Sequence, residues 1–387
     1  MKDAPPAVLQ VLPRLVTGGV ERGTIEIAEA IVRAGGRALV ASAGGPMVAQ
    51  LEAVGARHIE LPMAGKSVGA LFGNARALAD VIRAEGVGIV HARSRFPAWS
   101  AMMAARRTGA HFITTYHGAY NEGFPGKRLY NSVMARGERV IAISEYIAGL
   151  IRARHRVPPE RIRLIPRGVD ERRFDPALVS PERVEALRAA WGVPEGRPVL
   201  VLPGRVTRWK GQMVLVEAMV RLRGAGVPLP YALPYVLIVG DTDARREFRG
   251  ELERAIAAAG LGADIKLTGH CDDLPAAFLL ADYALHCSTD AEAFGRTVIE
   301  AQAMGCPVIA SDLGGPRETV ADGRTGWLVP PGDPAALAGA IGAALAQPAE
   351  MRAAMGEAGR RLVLERYTTR AMQEATLAVY REFEPGL

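Results

Sequence analysis

Short apolar runs rich in Val and Ile recur along the chain, separated by stretches of helical periodicity, and this alternation limits the possible folds more than any other feature. The runs fall at residues 7–12, 38–41, 88–90, 112–115, 140–143 and 163–165, then at 198–202, 235–239, 265–267, 283–287 and 307–310. Parallel neighbours need a connection long enough for a helix, so the pattern predicts an α/β protein whose parallel sheets are wrapped by helices on both faces. Eleven such runs are too many for one comfortable doubly wound sheet. The polar stretch 168–181 reads as a crossing segment, which predicts two Rossmann-like domains. Residues 348–383 read as consecutive helices broken near Tyr367-Thr-Thr369, where either threonine supplies a cap.

At 387 residues, 49% of them hydrophobic and 23% charged, the chain is long enough for two such cores. Its start, Met1-Lys-Asp-Ala-Pro-Pro, runs straight into the first strand pattern and lacks the basic-then-apolar design of a signal peptide. No apolar run approaches the roughly 18 residues of a membrane span. Cys271, Cys287 and Cys306 form no C-x-x-C pair, so reduced thiols and a cytoplasmic setting are expected. Charge is uneven: residues 1–185 carry 26 basic and 17 acidic side chains, whereas 186–387 carry 21 and 24. A basic first half suits peripheral contact with anionic lipid at the inner face of a membrane, or an acidic acceptor. The plain alternative is arginine bias, since only five of the 47 basic residues are lysine. Nucleic acid is not expected as a partner, because no aromatic-and-basic platform or reading motif is present.

The segment Glu292-Ala-Phe-Gly-Arg-Thr-Val-Ile-Glu300 places two carboxylates around a predicted helix start, after the strand pattern 283–287 and a polar loop. Backbone N–H groups at such a start lack intrahelical partners, so Phe294, Gly295 and Arg296 can hold a phosphate. Glu300 then suits ribose hydroxyls, and Glu292 a sugar on the other side. The bland alternative is a capping acid followed by a solvated one. Arg205 and Lys210 follow the first strand of the second domain, at a carboxyl end where open α/β sheets bind ligands, and two cations there balance a diphosphate. Gly18 and Gly19 let backbone approach a ligand closely. The run Thr17 to Gly23 does not fit G-x-G-x-x-G, which argues against a dinucleotide cofactor, and Glu60 breaks any P-loop ending at Gly65-Lys-Ser67. Asp241-Thr-Asp243 reads as a strand-end loop, and no metal is expected. Arg93 and Arg95, at the end of a strand pattern, suit an acidic acceptor or are a solvated strand end.

These segments together resemble the retaining glycosyltransferases of family 4. The resemblance rests on the E-x7-E pattern, on Pro203-Gly-Arg-Val-Thr-Arg-Trp-Lys-Gly211, on Gly305-Cys-Pro-Val-Ile-Ala-Ser-Asp-Leu-Gly-Gly-Pro-Arg-Glu318, and on Thr17-Gly-Gly19 and Thr115-Tyr-His-Gly118. It implies the GT-B fold, two Rossmann-like domains facing across a cleft: residues 1–185 for the acceptor, 186–370 for a nucleotide sugar, and a final helix, 371–387, returning to the first domain. It implies catalytic roles for His117, Glu292, Arg205 and Lys210, with His117 touching the donor sugar. Gly18, Gly19, Gly204, Gly269, His270, Phe294, Gly295, Arg296 and Glu300 become donor-side positions. The runs His91-Ala-Arg-Ser-Arg95 and Tyr116-His-Gly118 are similar to those of bacterial lipopolysaccharide transferases, implying a glycan or glycolipid acceptor of the envelope. Two positions depart from the family pattern: Arg296 where an apolar residue is usual, and Arg167 where Asn is usual. A glycosidase would leave the cationic loop without purpose, whereas a sugar-nucleotide epimerase and a non-catalytic sugar-nucleotide-binding protein are the rival readings.

Overall fold

A computed structural model describes residues 5–16, 18–224, 233–241 and 246–387. The chain divides into two compact units, one of Met1–Arg167 with Thr369–Leu387, the other of Gly168–Thr368. The first holds strands β1 (Ala7–Val11), β2 (Arg37–Ser42), β3 (Arg57–Glu60), β4 (Val87–Ala92), β5 (His111–Tyr116), β6 (Arg139–Ala142) and β7 (Ile162–Leu164). They form one sheet in the order β3-β2-β1-β4-β5-β6-β7, every pairing parallel. The second unit holds β8 (Val199–Pro203), β9 (Tyr235–Val239), β10 (Ile265–Gly269), β11 (Tyr283–His286), β12 (Val308–Ser311) and β13 (Gly326–Val329). Their order is β10-β9-β8-β11-β12-β13, again parallel throughout.

Strands β1, β8 and β9 are buried along their whole length, as expected of parallel strands covered on both faces. Each apolar side chain fully buried there contributes roughly 1.5–3 kcal/mol against an exposed position. In both sheets the chain winds outward in one direction from the first strand and then reverses. The reversal falls between β1 and β4 in one unit and between β8 and β11 in the other, and such a switch point opens a crevice at the carboxyl ends of the strands.

The sequence reading ended the first domain at residue 185, but residues 168–185 pack with the second unit. Phe174 lies 6.4 Å from the Phe278 ring, and Arg183 grips the Asp273 carboxylate at 2.6 and 2.9 Å. Arg360 also reaches Asp175 at 3.0 Å. The polar side chains of this crossing stretch are thus partly consumed in ion pairs. At the other end, the helix Thr369–Arg381 lies in the first unit. Gln373 takes a hydrogen bond from Arg33 at 2.7 Å and gives one to the Glu26 carbonyl at 2.7 Å, while Met372, Leu377 and Tyr380 enter that unit's apolar core.

Candidate active site

The second unit's switch point is closed by two loops that lock together. Gly211 ends the loop after β8 in a left-handed conformation, φ 74°, and a Cβ there would run into the Cys287 carbonyl oxygen just past β11. Thr289 N–H then donates to the Trp209 carbonyl at 2.7 Å. This close approach carries the Lys210 ammonium onto Glu292 Oε1, where the two form an ion pair. Ser288 Oγ donates to the same oxygen at 3.0 Å, and His286 Nε2 stands 3.1 Å from it. Burial pushes the Glu292 carboxyl up, but the charges and hydrogen bonds of His286 and Lys210 outweigh it and hold it well below the usual carboxylate range.

From behind, the Gly314-Gly315 turn after β12 supports the Glu292 segment. Gly315 N–H donates to the Glu292 carbonyl at 2.9 Å, and at Gly314, φ 69°, a Cβ would strike that same carbonyl oxygen. Gly295 caps the helix Arg296–Ala303, whose first N–H groups face out of the helix end. Phe294 contributes only backbone to that start, because its ring is buried edge-on against Tyr367 at 5.7 Å. Glu300 lies in the helix and is largely buried, with Arg296 Nε 3.5 Å from its Oε1. The Arg296 side chain, at the position that departs from the family's usual apolar residue, thus shares its charge with Glu300. Gly204 stands beside the Lys210 stem, and the Arg205 side chain is exposed. Gly269 accepts from Gly240 N–H at 2.9 Å, while His270 is exposed and tied to Asp272 at 2.9 Å. Asp243 lies outside the described residues, as does Thr17.

In the first unit, Gly18 caps the helix Gly19–Arg33. Arg167, nearly fully buried, donates to the Gly19 carbonyl at 2.7 Å and lies 3.5 Å from Glu26. The departure from Asn at this position therefore places a guanidinium against the first turn of that helix. His117 follows β5; its Nε2 is buried without a partner, and burial together with Arg93, Arg167 and His91 keeps its pKa well below the ordinary value. Arg93 is neither a solvated strand end nor an open hand for an acceptor. It is 2% exposed at the β1/β4 reversal, where Nη1 donates to Gln10 Oε1 at 3.0 Å. Arg95 is likewise engaged, with Asn131 Oδ1 at 2.9 Å and the Tyr120 ring 4.3 Å from its guanidinium carbon. Sequence reasoning missed His286, although a histidine inside an otherwise apolar strand, two residues before the loop from Ser288 to Glu292 begins, was a signal of a buried polar contact.

Family profiles match both halves: glycosyl transferases group 1 over residues 183–362, and glycosyltransferase family 4 over residues 17–173. A D-inositol 3-phosphate glycosyltransferase of Salinispora tropica is 30% identical over 83% of this chain and 69% of its own length. The GDP-mannose-dependent alpha-(1-6)-phosphatidylinositol monomannoside mannosyltransferase of Mycolicibacterium smegmatis is 31% identical over 69% of each chain. The crystal structure of a glycosyltransferase from Rickettsia africae superposes with a TM-score of 0.89 at 36% identity, covering 98% of both chains. With two parallel Rossmann-like sheets and these relatives, the chain belongs to the group 1 glycosyltransferases and has the GT-B fold.

Proposed function

We propose that this glycosyltransferase moves a sugar from a nucleotide-diphosphate sugar to a glycan or glycolipid acceptor, with retention of configuration. The observation that carries this reading is the meeting of Lys210 and Glu292 at the β8/β11 reversal, next to the start of the helix Arg296–Ala303. Lys210 and Arg205 are assigned to the non-bridging oxygens of the diphosphate, whose charge grows as the leaving group departs. The N–H groups around Gly295 add a fixed positive end without a proton to lose. Glu300 receives ribose hydroxyls, Glu292 receives sugar hydroxyls, and His117 is assigned the donor-sugar contact carried over from the family. In a front-face displacement the bond from the anomeric carbon to the diphosphate oxygen breaks while the acceptor oxygen bonds on the same face. The acceptor proton passes to the departing phosphate, so this reading requires neither a protein base nor a metal.

The mycobacterial relative is named as GDP-mannose-dependent, which supports a nucleotide-sugar donor. Lipopolysaccharide as the acceptor rests on the runs 91–95 and 116–118, and both arginines of the first are engaged within the first unit. The named relatives act instead on inositol phosphate and a phosphatidylinositol mannoside, so the acceptor panel must include all three classes. Peripheral membrane contact is supported by Val68, Phe72, Phe124 and Leu129, exposed large apolar side chains of the basic first unit, with Lys127 over the Phe124 ring. No helix of the described residues is long and apolar enough to cross a membrane. A thermal-shift screen of UDP-, GDP- and ADP-sugars tests the donor assignment, since a ligand that binds only the folded chain raises its melting temperature. Selective stabilisation by one base is expected; no shift with any of them would sink the reading. Salt-sensitive binding to anionic but not neutral vesicles is the matching check on the membrane contact.

A further inference from the structure

His286 closes β11 with its ring 4% exposed. Nε2 faces Glu292 Oε1 at 3.1 Å and Ser288 Oγ at 3.4 Å, while Nδ1 is buried without a partner. A buried ring nitrogen left unsatisfied costs about 1–3 kcal/mol, so an apolar side chain would serve the core of this strand better. What the imidazole adds is an N–H aimed at the carboxylate, with the tautomer fixed by that contact. Lys210, Ser288 and His286 all converge on Oε1, from the loop after β8, the loop after β11 and β11 itself. Among the described residues, Oε2 of Glu292 has no partner.

We propose that His286 is a positioning residue: with Lys210 and Ser288 it fastens Glu292 by Oε1, so that Oε2 stands ready to accept a hydroxyl of the transferred sugar. This rests on the donor reading above, in which Glu292 grips the sugar. A carboxylate held through one oxygen keeps a fixed direction for the other, which spares the ordering cost when the sugar arrives.

The test compares His286→Leu, His286→Gln and Glu292→Gln with the wild type. Binding of UDP-glucose and GDP-mannose is measured by calorimetry, with UDP and GDP as sugar-free controls. His286→Leu is expected to lose at least about tenfold in sugar-nucleotide affinity, the loss typical of a missing hydrogen bond to a charged group. Its affinity for UDP and GDP should stay unchanged. His286→Gln keeps an N–H at similar reach and should stay within about threefold of the wild type, which also guards against a leucine variant that fails to fold. A second signature is the acid limit of sugar-nucleotide binding. His286 and Lys210 are the charged or titratable groups facing Glu292, and removing one lets the carboxyl protonate at higher pH, so the limit should move up in His286→Leu. Wild-type sugar binding in folded His286→Leu, or equal losses for UDP and UDP-glucose, would overturn the proposal and leave the ring as core filling. Normal binding by Glu292→Gln, or no binding of any UDP-, GDP- or ADP-sugar by the wild type, would sink the donor reading itself and this proposal with it.

Discussion

Lys210 and Glu292 are both mostly buried, and an ion pair in that setting gains little net stability, because desolvating two charges costs about as much as their attraction returns. Its value is chemical. A diphosphate arriving beside Lys210 finds an ammonium already desolvated and aimed, with Glu292 oriented at its side. Glu300 is a different case: Arg296 is its near neighbour, so ribose hydroxyls would meet a carboxylate that is already partly ordered. Lys210→Ala and Glu300→Ala are each expected to lower donor turnover by at least about tenfold, since each removes a charged contact worth roughly 1.5–3 kcal/mol. Lys210→Ala should also lower the melting temperature, because Glu292 is left with one cation fewer in a buried place. Adding Glu292→Gln to it should recover part of that loss. Turnover at the wild-type rate in either folded single variant removes its residue from the site.

At the scale of elements, the site depends on backbone approaches that side chains would forbid. The turn at Gly314 presses on the Glu292 carbonyl in a left-handed conformation, so Gly314→Ala must shift one loop or the other. It is expected to cost about 2 kcal/mol or more in urea unfolding, and to weaken donor binding even though residue 314 touches no donor in the proposed reading. Unchanged stability with full donor affinity would show that the turn yields freely. The same scale explains what the sequence disclosed. Interior strands such as β1, β8 and β9 are apolar runs because both faces are covered, and they were legible at once. Strands β3 and β13 were missed: both are sheet edges, Arg57–Glu60 is half exposed and polar, and Gly326–Val329 opens on glycine. The E-x7-E segment and the Lys210 loop were legible because their chemistry is local. Arg93 and His286 were not, since only the sheet order reveals that Arg93 is enclosed beside Gln10 and that β11 aims His286 at Glu292.

Across the whole molecule, the groups that oppose protonation are unevenly divided. His91 is fully buried between Tyr380 Oη at 2.6 Å and Thr115 Oγ1 at 2.7 Å; burial first, then Arg93, keeps its pKa well below the ordinary 6.5. His117 is lowered as strongly and His155 to a lesser degree, and all three belong to the first unit. A histidine depressed on folding binds its proton in the unfolded chain first, so it favours the fold above pH 6.5 and disfavours it progressively as pH falls below that value. In the second unit the lowered carboxyls, Glu292 and Asp273 among them, act in a different window. Their contribution is present in full above the unfolded value of 4.5 or 3.8 and is lost only as pH falls below it. Between pH 6.5 and 5, then, the first unit should weaken while the second holds. Hydrogen exchange at pH 7 and pH 5, corrected for the intrinsic rate, should show protection falling in β4 and β5 and unchanged in β8 and β11. His91→Gln, which cannot take up the proton, should reduce the pH dependence of the first unit. Equal loss in both sheets, or none in β4 and β5, would mean that the buried histidines do not govern the acid response.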